Sequence, residues 1–205
     1  MKKLLMATSI ALATTLAAAA NPAATVGQPA PAFTAVDASG KTVSLADFKG
    51  QHVVLEWVNP GCPFVVKHYG SDNMQATQKE AGAKGVVWLA VNSTATGHGD
   101  YRSPARMTQW MTEHKAAAKA TLMDVEGKVG RAYGARTTPH MYVINPAGTL
   151  VYAGAIDSKS SANPADIPGA TNYVKQALAE TLAGKAISMP NTRAYGCTVK
   201  YASGA

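Results

Sequence analysis

HVVLEWVNPGCPFVVKHY, residues 52–69, joins a β-branched and aromatic run to a helix-like run through a proline–glycine loop that ends on a cysteine. The first seven residues have strand character, and Asn59-Pro60-Gly61 stops them. Alternation puts Val54, Glu56 and Val58 on one face and Val53, Leu55 and Trp57 on the other. Pro63 suits a first helical turn, where its missing N–H costs no hydrogen bond. The pattern predicts a helix from Cys62 to about Ala83, ended by Gly85. Cys62 therefore stands at a strand-to-helix turn, where unpaired N–H groups and the positive end of the helix dipole favour thiolate. Thiolate is the nucleophile of disulfide exchange and of peroxide reduction. The competing role, a small buried apolar residue, fits a strand interior better than this loop. Redox motifs of this look carry a second cysteine three residues away, but Asn59 stands three before Cys62 and Val65 three after.

The flanking sequence extends the pattern. Upstream, FTAV and KTVSL are short strand-like runs about the turn Asp37-Ala-Ser-Gly40, forming a hairpin behind an extended arm. Downstream, GVVWLAVN, residues 85–92, is nearly continuous in apolar character, as in a strand buried on both faces. Ser103-Pro104 opens an amphipathic helix, TLMD is a short parallel strand, and GKVGRAYG a short helix ending at Gly134. TTPHMYVINPAGTLVYAG reads as a hairpin, and a last helix spans about Gly169 to Ala183. After the first hairpin the order is β-α-β-α-β-α-β-β-α, which requires right-handed crossovers and a largely parallel sheet with an antiparallel edge.

The chain has 205 residues, and its first twenty read as a secretory signal peptide: Lys2 and Lys3, an apolar run, then Ala18-x-Ala20 before Asn21. Thr8, Ser9, Thr14 and Thr15 dilute that run, and it is short for a membrane span. Loss of the leader removes two lysines and no acid, so the net charge of +7 falls to +5. The remaining basic residues are scattered and not interleaved with aromatics, which argues against nucleic acid as a partner. The expected product is exported, periplasmic or secreted, with no membrane attachment after signal removal. It holds two cysteines, Cys62 and Cys197, in a compartment where disulfides persist. Pairing within the chain is the simplest expectation, and a bond between chains is the alternative. Metal-type cysteine clustering and a haem attachment motif are both missing, so neither metal nor organic cofactor is called for. A copper or zinc site built from Cys62 and histidines such as His140 is not required by the spacing either.

GCPFV, YGARTTPH and YGCTVKY, at these separations, resemble the thioredoxin-fold redoxins, and most closely the peroxiredoxin-like branch of the alkyl hydroperoxide reductase/thiol-specific antioxidant family. The resemblance covers roughly residues 25–200. It implies an α/β thioredoxin-like fold, a mixed central sheet flanked by helices with an N-terminal β-hairpin extension. The expected division is a signal peptide at 1–20, a redoxin domain at 25–187 and a tail at 188–205 carrying Cys197. By the same resemblance, Thr138-Pro139 stands where such folds place a cis-proline beside the active cysteine, the residue before it offering backbone hydrogen bonds to a bound chain. Glu56, six residues before Cys62, matches the buried acid of thioredoxins. Buried there, it has a raised pKa and relays protons; the alternative is a solvated or ion-paired carboxylate at the strand end. His140 has two readings, a group that favours thiolate from the Cys62 side and a structural residue at a strand start, of which the structural one is preferred. His68, about 600° around the helix from Cys62, points away from the thiol. His52, His98 and His114 are dispersed and read as surface or packing residues.

The departures matter as much. Peroxiredoxins keep a Thr or Ser three residues before the peroxidatic cysteine and a Pro four before that; this chain has Asn59 and Leu55. The peroxiredoxin arginine aligns with Pro139, and Arg136 is displaced. Thioredoxins need CxxC, which is not present. Dithiol chemistry must therefore use Cys197, 135 residues downstream. A Cys62–Cys197 bond would stabilise the fold by about 5 kcal/mol through loop closure. Three readings follow. The first is a thiol–disulfide oxidoreductase with Cys62 as nucleophile, Cys197 as resolving thiol, and Glu56, Thr138 and Pro139 in support. Its partners are a thioredoxin-like reductant or a disulfide-bearing protein. The second is a thiol-dependent peroxidase acting on peroxide. The third is a non-catalytic binding module stapled by a structural disulfide.

Overall fold

The computed structural model describes residues 23–203, so the expected leader lies outside the described residues. A five-stranded mixed sheet forms the centre, in the order β5 (Ala120–Met123), β4 (Val87–Asn92), β3 (Val53–Trp57), β7 (His140–Ile144) and β8 (Leu150–Gly154). β3, β4 and β5 run parallel, and the β7–β8 hairpin joins β3 antiparallel. The parallel strands are separated in sequence by α1 (Pro63–Gly70), α2 (Asn73–Ala83) and α3 (Pro104–Glu113). α4 (Lys128–Tyr133) follows β5, and α5 (Tyr173–Leu182) follows the closing hairpin.

The alternation in β3 divides the core as its sequence requires. Val54 and Val58 pack with Val65, Tyr69, Met74, Met107 and Leu178 on the face covered by α1, α2, α3 and α5. Val53, Leu55 and Trp57 pack with Phe33, Phe48, Val129 and Tyr133 on the face covered by α4 and the N-terminal segment. All five residues of β3 and all six of β4 are buried. Each Val or Leu withdrawn from water this way contributes about 1.5–3 kcal/mol, which anchors the strand that delivers Cys62. The small hairpin of β1 (Thr34–Val36) and β2 (Thr42–Ser44) turns where Asp37 Oδ1 accepts from the N–H groups of Ser39 and Lys41.

Three local expectations are corrected. The helix after Cys62 is not continuous to Ala83; it breaks at Ser71-Asp72 into α1 and α2, with Asp72 in the left-handed region at φ 59°. Gly70-Ser71-Asp72-Asn73 is turn chemistry, and side chains take the freed carbonyls. Ser71 Oγ donates to Lys67 O (2.7 Å), and buried Gln75 Nε2 donates to Tyr69 O (2.7 Å). The last helix starts at Tyr173 rather than near Gly169, because Asn172 Oδ1 caps the Lys175 N–H at 3.0 Å. Finally, Thr137–Thr138 is not the opening of the β7–β8 hairpin. It is a separate two-residue strand, β6, paired antiparallel with the tail strand β9 (Cys197–Thr198).

That tail is folded along much of its length. Ala153 N–H donates to Pro190 O, Val199 N–H to Arg136 O and Ala95 N–H to Lys200 O. Tyr201 Oη donates to Ala135 O at 2.8 Å, and its ring lies under the Arg131 guanidinium. Gly196, at φ 137°, lets the tail approach β6 so closely that a Cβ would collide with the Thr138 carbonyl. Gly196→Ala is therefore expected to lower unfolding stability by about 1–3 kcal/mol. Gly82→Ala, in α2 with open space around it, is expected to raise stability by about 0.5–1 kcal/mol. Urea midpoints of the two variants against wild type check both signs.

Candidate active site

Cys62 is the N-cap of α1, with Pro63 in the first turn. Its backbone is fixed on both sides: its N–H donates to Asn59 O (3.0 Å), and its C=O accepts from Val66 N–H (2.9 Å). The thiol does not cap the helix; Sγ–H donates to the carbonyl of Thr138 at 3.0 Å. Thr138 is thus in contact with Cys62, and it is also the register partner of Cys197 across the β6–β9 pair. The Thr138–Pro139 peptide bond is cis. The two cysteines are unbonded and lie close together, each against Thr138. Cys62 is buried and Cys197 half-buried. Burial first, and the adjoining Cys62 second, push the Cys197 thiol up to about 12.

Asn59, in the position where peroxiredoxins carry Thr or Ser, is committed to the loop. Its Oδ1 accepts from Gly61 N–H (2.8 Å), and its Nδ2 donates to Asp100 Oδ2 (3.1 Å). Asp100 comes from the polar loop after β4 and closes over Gly61, where a Cβ would sit 3.2 Å from the carboxyl carbon. Nothing in the sequence singled out Asp100; it is one polar residue in STATGHGDYRS, and only the folded loop brings it to the cysteines. Arg136 lends its backbone to the tail, and its N–H donates to His140 Nδ1 (3.3 Å).

Glu56 is fully buried on the α1/α2 side of β3. It accepts three hydrogen bonds, from Trp88 Nε1 (2.8 Å), Tyr69 Oη (2.9 Å) and Gln78 Nε2 (3.0 Å). Burial raises its pKa to about 7, partly offset by these donors. Its hydrogen bonds do not extend to Cys62. The strand alternation gave Glu56 its face but not its depth, and depth is what moves the pKa.

His140 is held by Tyr142 and by Arg136 N–H, and burial lowers its pKa to about 4. His68 is buried and hydrogen-bonded to Tyr195 and Asn73, not to Cys62, and burial lowers it to about 4 as well. Lys67, next to it on α1, is also buried, 3.8 Å from Asp157. Tyr195, two residues before Cys197, joins this group, which could not be read from charges scattered through the sequence. Among the described residues there is no cluster of three or more His, Cys, Asp or Glu able to hold a metal, and no helix long and apolar enough to cross a membrane.

Similar folds and sequences exist. The chain is similar to an uncharacterized conserved protein of Geobacillus kaustophilus, with 26% identity over 88% of this chain and 94% of that one, at a TM-score of 0.77. It is also similar to a hypothetical protein of Sinorhizobium meliloti 1021, with 23% identity over 89% and 98% of the two chains and a TM-score of 0.75. A thiol:disulfide interchange protein from Bacteroides sp. shares 26% identity over 63% of this chain and 81% of its own, with a TM-score of 0.52. No match was found among curated proteins. The sequence model of the AhpC/TSA family matches residues 26–153, a stretch that includes Cys62, Thr138 and Pro139 and stops short of Cys197. With a mixed sheet, a cysteine opening the helix after its central strand and a cis-proline facing that cysteine, this chain is a thioredoxin-fold redoxin and belongs to the AhpC/TSA family.

Proposed function

We propose that the protein is an exported thiol–disulfide oxidoreductase that cycles between a Cys62/Cys197 dithiol and an intramolecular disulfide. The carrying observation is the meeting of the two sulfurs across Thr138, with β9 holding Cys197 against the cysteine that opens α1. Proximity of this kind turns resolution into a unimolecular step.

In the proposed cycle the Cys62 thiolate attacks a substrate disulfide, a Cys62–substrate disulfide forms, and one substrate thiolate leaves. Cys197 then gives up its proton and attacks Cys62 Sγ. The Cys62–Cys197 bond forms, the second substrate thiolate leaves, and the electrons of two protein thiols have reduced one disulfide. A thioredoxin-like reductant resets the pair. The high Cys197 pKa orders these steps, since Cys197 stays protonated while Cys62 is a free thiol. With β9 in place Cys62 is closed over, so attack requires the short β6–β9 pair to open. Thr138 and Pro139 would hold the incoming chain. Glu56, poised near neutral pH, serves as the proton reservoir, with a carrier between it and the thiol.

Disulfide exchange is favoured over peroxide reduction by Asn59. Both ends of its amide are used within the loop and with Asp100, leaving no polar side chain at that position to polarise an O–O bond. The interchange protein from Bacteroides and the secretory pattern of residues 1–20 support the substrate class and the export assignment.

Thiol trapping and mass spectrometry test the cycle. After a disulfide oxidant, wild type is expected to carry a Cys62–Cys197 bond that a dithiol reduces readily. Cys62→Ser should show no disulfide reductase activity, and Cys197→Ser should accumulate the substrate-linked species. A bond that resists dithiol reduction, or a fully active Cys62→Ser, would reject the proposal.

Glu56 makes a separate prediction. Its folded pKa of about 7 lies above the ordinary 4.5, so the folded chain binds the extra proton between those values. Its contribution to stability is therefore complete below pH 4.5 and lost as pH rises through 7, a swing of roughly 3 kcal/mol by pH 8. Glu56→Gln should flatten that dependence, read as urea midpoints at pH 5 and pH 8.

A further inference from the structure

Behind the two cysteines lies a buried group of polar side chains that the redox cycle does not use. It joins the helix capped by Cys62 to the tail that carries Cys197. Tyr195 Oη–H donates to Asp157 Oδ1 at 2.6 Å. That hydrogen bond consumes the only Tyr195 proton, so His68 Nε2, 3.1 Å from Tyr195 Oη, must be the donor in their contact. His68 Nδ1 is then free to accept from Asn73 Nδ2, which lies 2.8 Å away. The assignment is self-consistent and needs a neutral imidazole, as the burial of His68 requires. Asp157 is held from its other side. Lys67 Nζ stands 3.8 Å from Oδ2 and donates to Lys159 O at 3.0 Å, and Lys159 N–H donates to Asp157 Oδ1 at 2.9 Å. Donors thus run in one direction, from Asn73 through His68 and Tyr195 to the Asp157 carboxylate, with Lys67 as its buried counter-charge.

Two members of this chain, Lys67 and His68, sit on α1, five and six residues after Cys62. The third, Tyr195, sits two residues before Cys197. Its ring adds an edge contact with Phe64, centroids 5.8 Å apart, and lies 5.6 Å from Lys67 Nζ. α1 therefore grips the tail through His68 Nε2 and Tyr195 Oη, and the same hydroxyl ties the tail to the loop after β8 through Asp157, in a site withdrawn from water where such bonds are strong.

We propose that Tyr195 is a positioning residue that latches the tail to α1 and sets how readily Cys197 reaches Cys62. This rests on the Cys62/Cys197 cycle above and deepens it. The latch has opposite effects on the two halves of that cycle. Holding β9 down shields Cys62 from the incoming disulfide, and it keeps Cys197 at high effective concentration for the resolving attack.

The test uses 5,5′-dithiobis(2-nitrobenzoate) with the reduced full chain. Cys62 attacks the reagent disulfide and releases one thionitrobenzoate. Cys197 then displaces the second and forms the intramolecular bond, so two protein thiols reduce one reagent to two coloured thiolates. Tyr195→Phe is the variant of choice because it keeps the ring and its contacts with Phe64 and Lys67. Removal of Asp157 would instead strand the buried Lys67 charge. Loss of the Tyr195 hydroxyl removes both its hydrogen bond to the charged Asp157 and the one it accepts from His68, which predicts a second release about 10- to 100-fold slower in Tyr195→Phe, with a first release equal to or faster than wild type. Asn73→Ala, which acts only through His68, should shift the second release in the same direction by a smaller factor.

Equal rates of the second release in wild type and Tyr195→Phe would overturn the proposal. So would a parallel slowing of both releases, the mark of a general structural defect. Wild type that releases one thionitrobenzoate and forms no Cys62–Cys197 bond would instead sink the redox cycle itself.

Discussion

The backbone of Thr138 is the constraint on which the site depends. Its carbonyl accepts the Cys62 thiol, its strand pairs with Cys197, and its peptide bond to Pro139 is cis. Each of these contacts would fail alone. A two-residue strand pair has too few hydrogen bonds to persist in water, and a thiol is a weak donor. They persist together because both ends are fastened elsewhere. β3 is buried on both faces and fixes the loop before Cys62, while Val199 and Tyr201 anchor the tail beyond Cys197.

Burial in this molecule is spent on polar groups as well as on the core. Glu56 lies in the apolar layer under α1 and α2 with all its hydrogen bonds internal, and Lys67, His68 and Asp157 lie in a second buried set beneath the tail. Such groups are expensive to bury unless every partner is in place, so they specify one arrangement of the elements they join. Here they join α1 to β3 in one case and α1 to the tail in the other. The helix that Cys62 caps is thus referenced both to the sheet and to the tail that carries the second cysteine.

Much of the architecture was legible because it follows from short-range periodicity. The two-residue alternation of HVVLEWV, the unbroken apolar run of GVVWLAVN and the Pro-Gly stop before Cys62 lead to the observed strands and their order. The break at Gly70-Ser71-Asp72 was missed, because the signal of these turn residues is weaker than the helical pattern around them. What the sequence could not carry was depth and long-range placement. Glu56 looks the same at a strand end as in a core, and Lys67 beside Val66 looks like a solvated helix lysine. Cys197 is 135 residues from Cys62, a distance that no local pattern spans. The partnership of Asp100 with Asn59, and of Asp157 with Tyr195, likewise exists only once the sheet has folded and the tail has crossed it.

In the proposed cycle, the electrostatics of the two sulfurs make the tail both lid and reactant. Two thiols in contact lose their protons one at a time, because the first negative charge opposes the second. Cys197 bears that penalty in addition to burial, which is the larger of the two effects on it. A disulfide on Cys62 would remove its share of the penalty on Cys197, but the burial of Cys197 would remain. Only a change in how the tail packs can relieve that. Opening β9 from β6 exposes Cys62 to an incoming disulfide and hydrates Cys197 in the same movement. Ionisation of Cys197 therefore belongs to the opened tail, before it closes on the sulfur that the proposed cycle has it attack. A tail fastened by Tyr195 before Cys197 and by Tyr201 after it would couple access to the first proposed step with competence for the second.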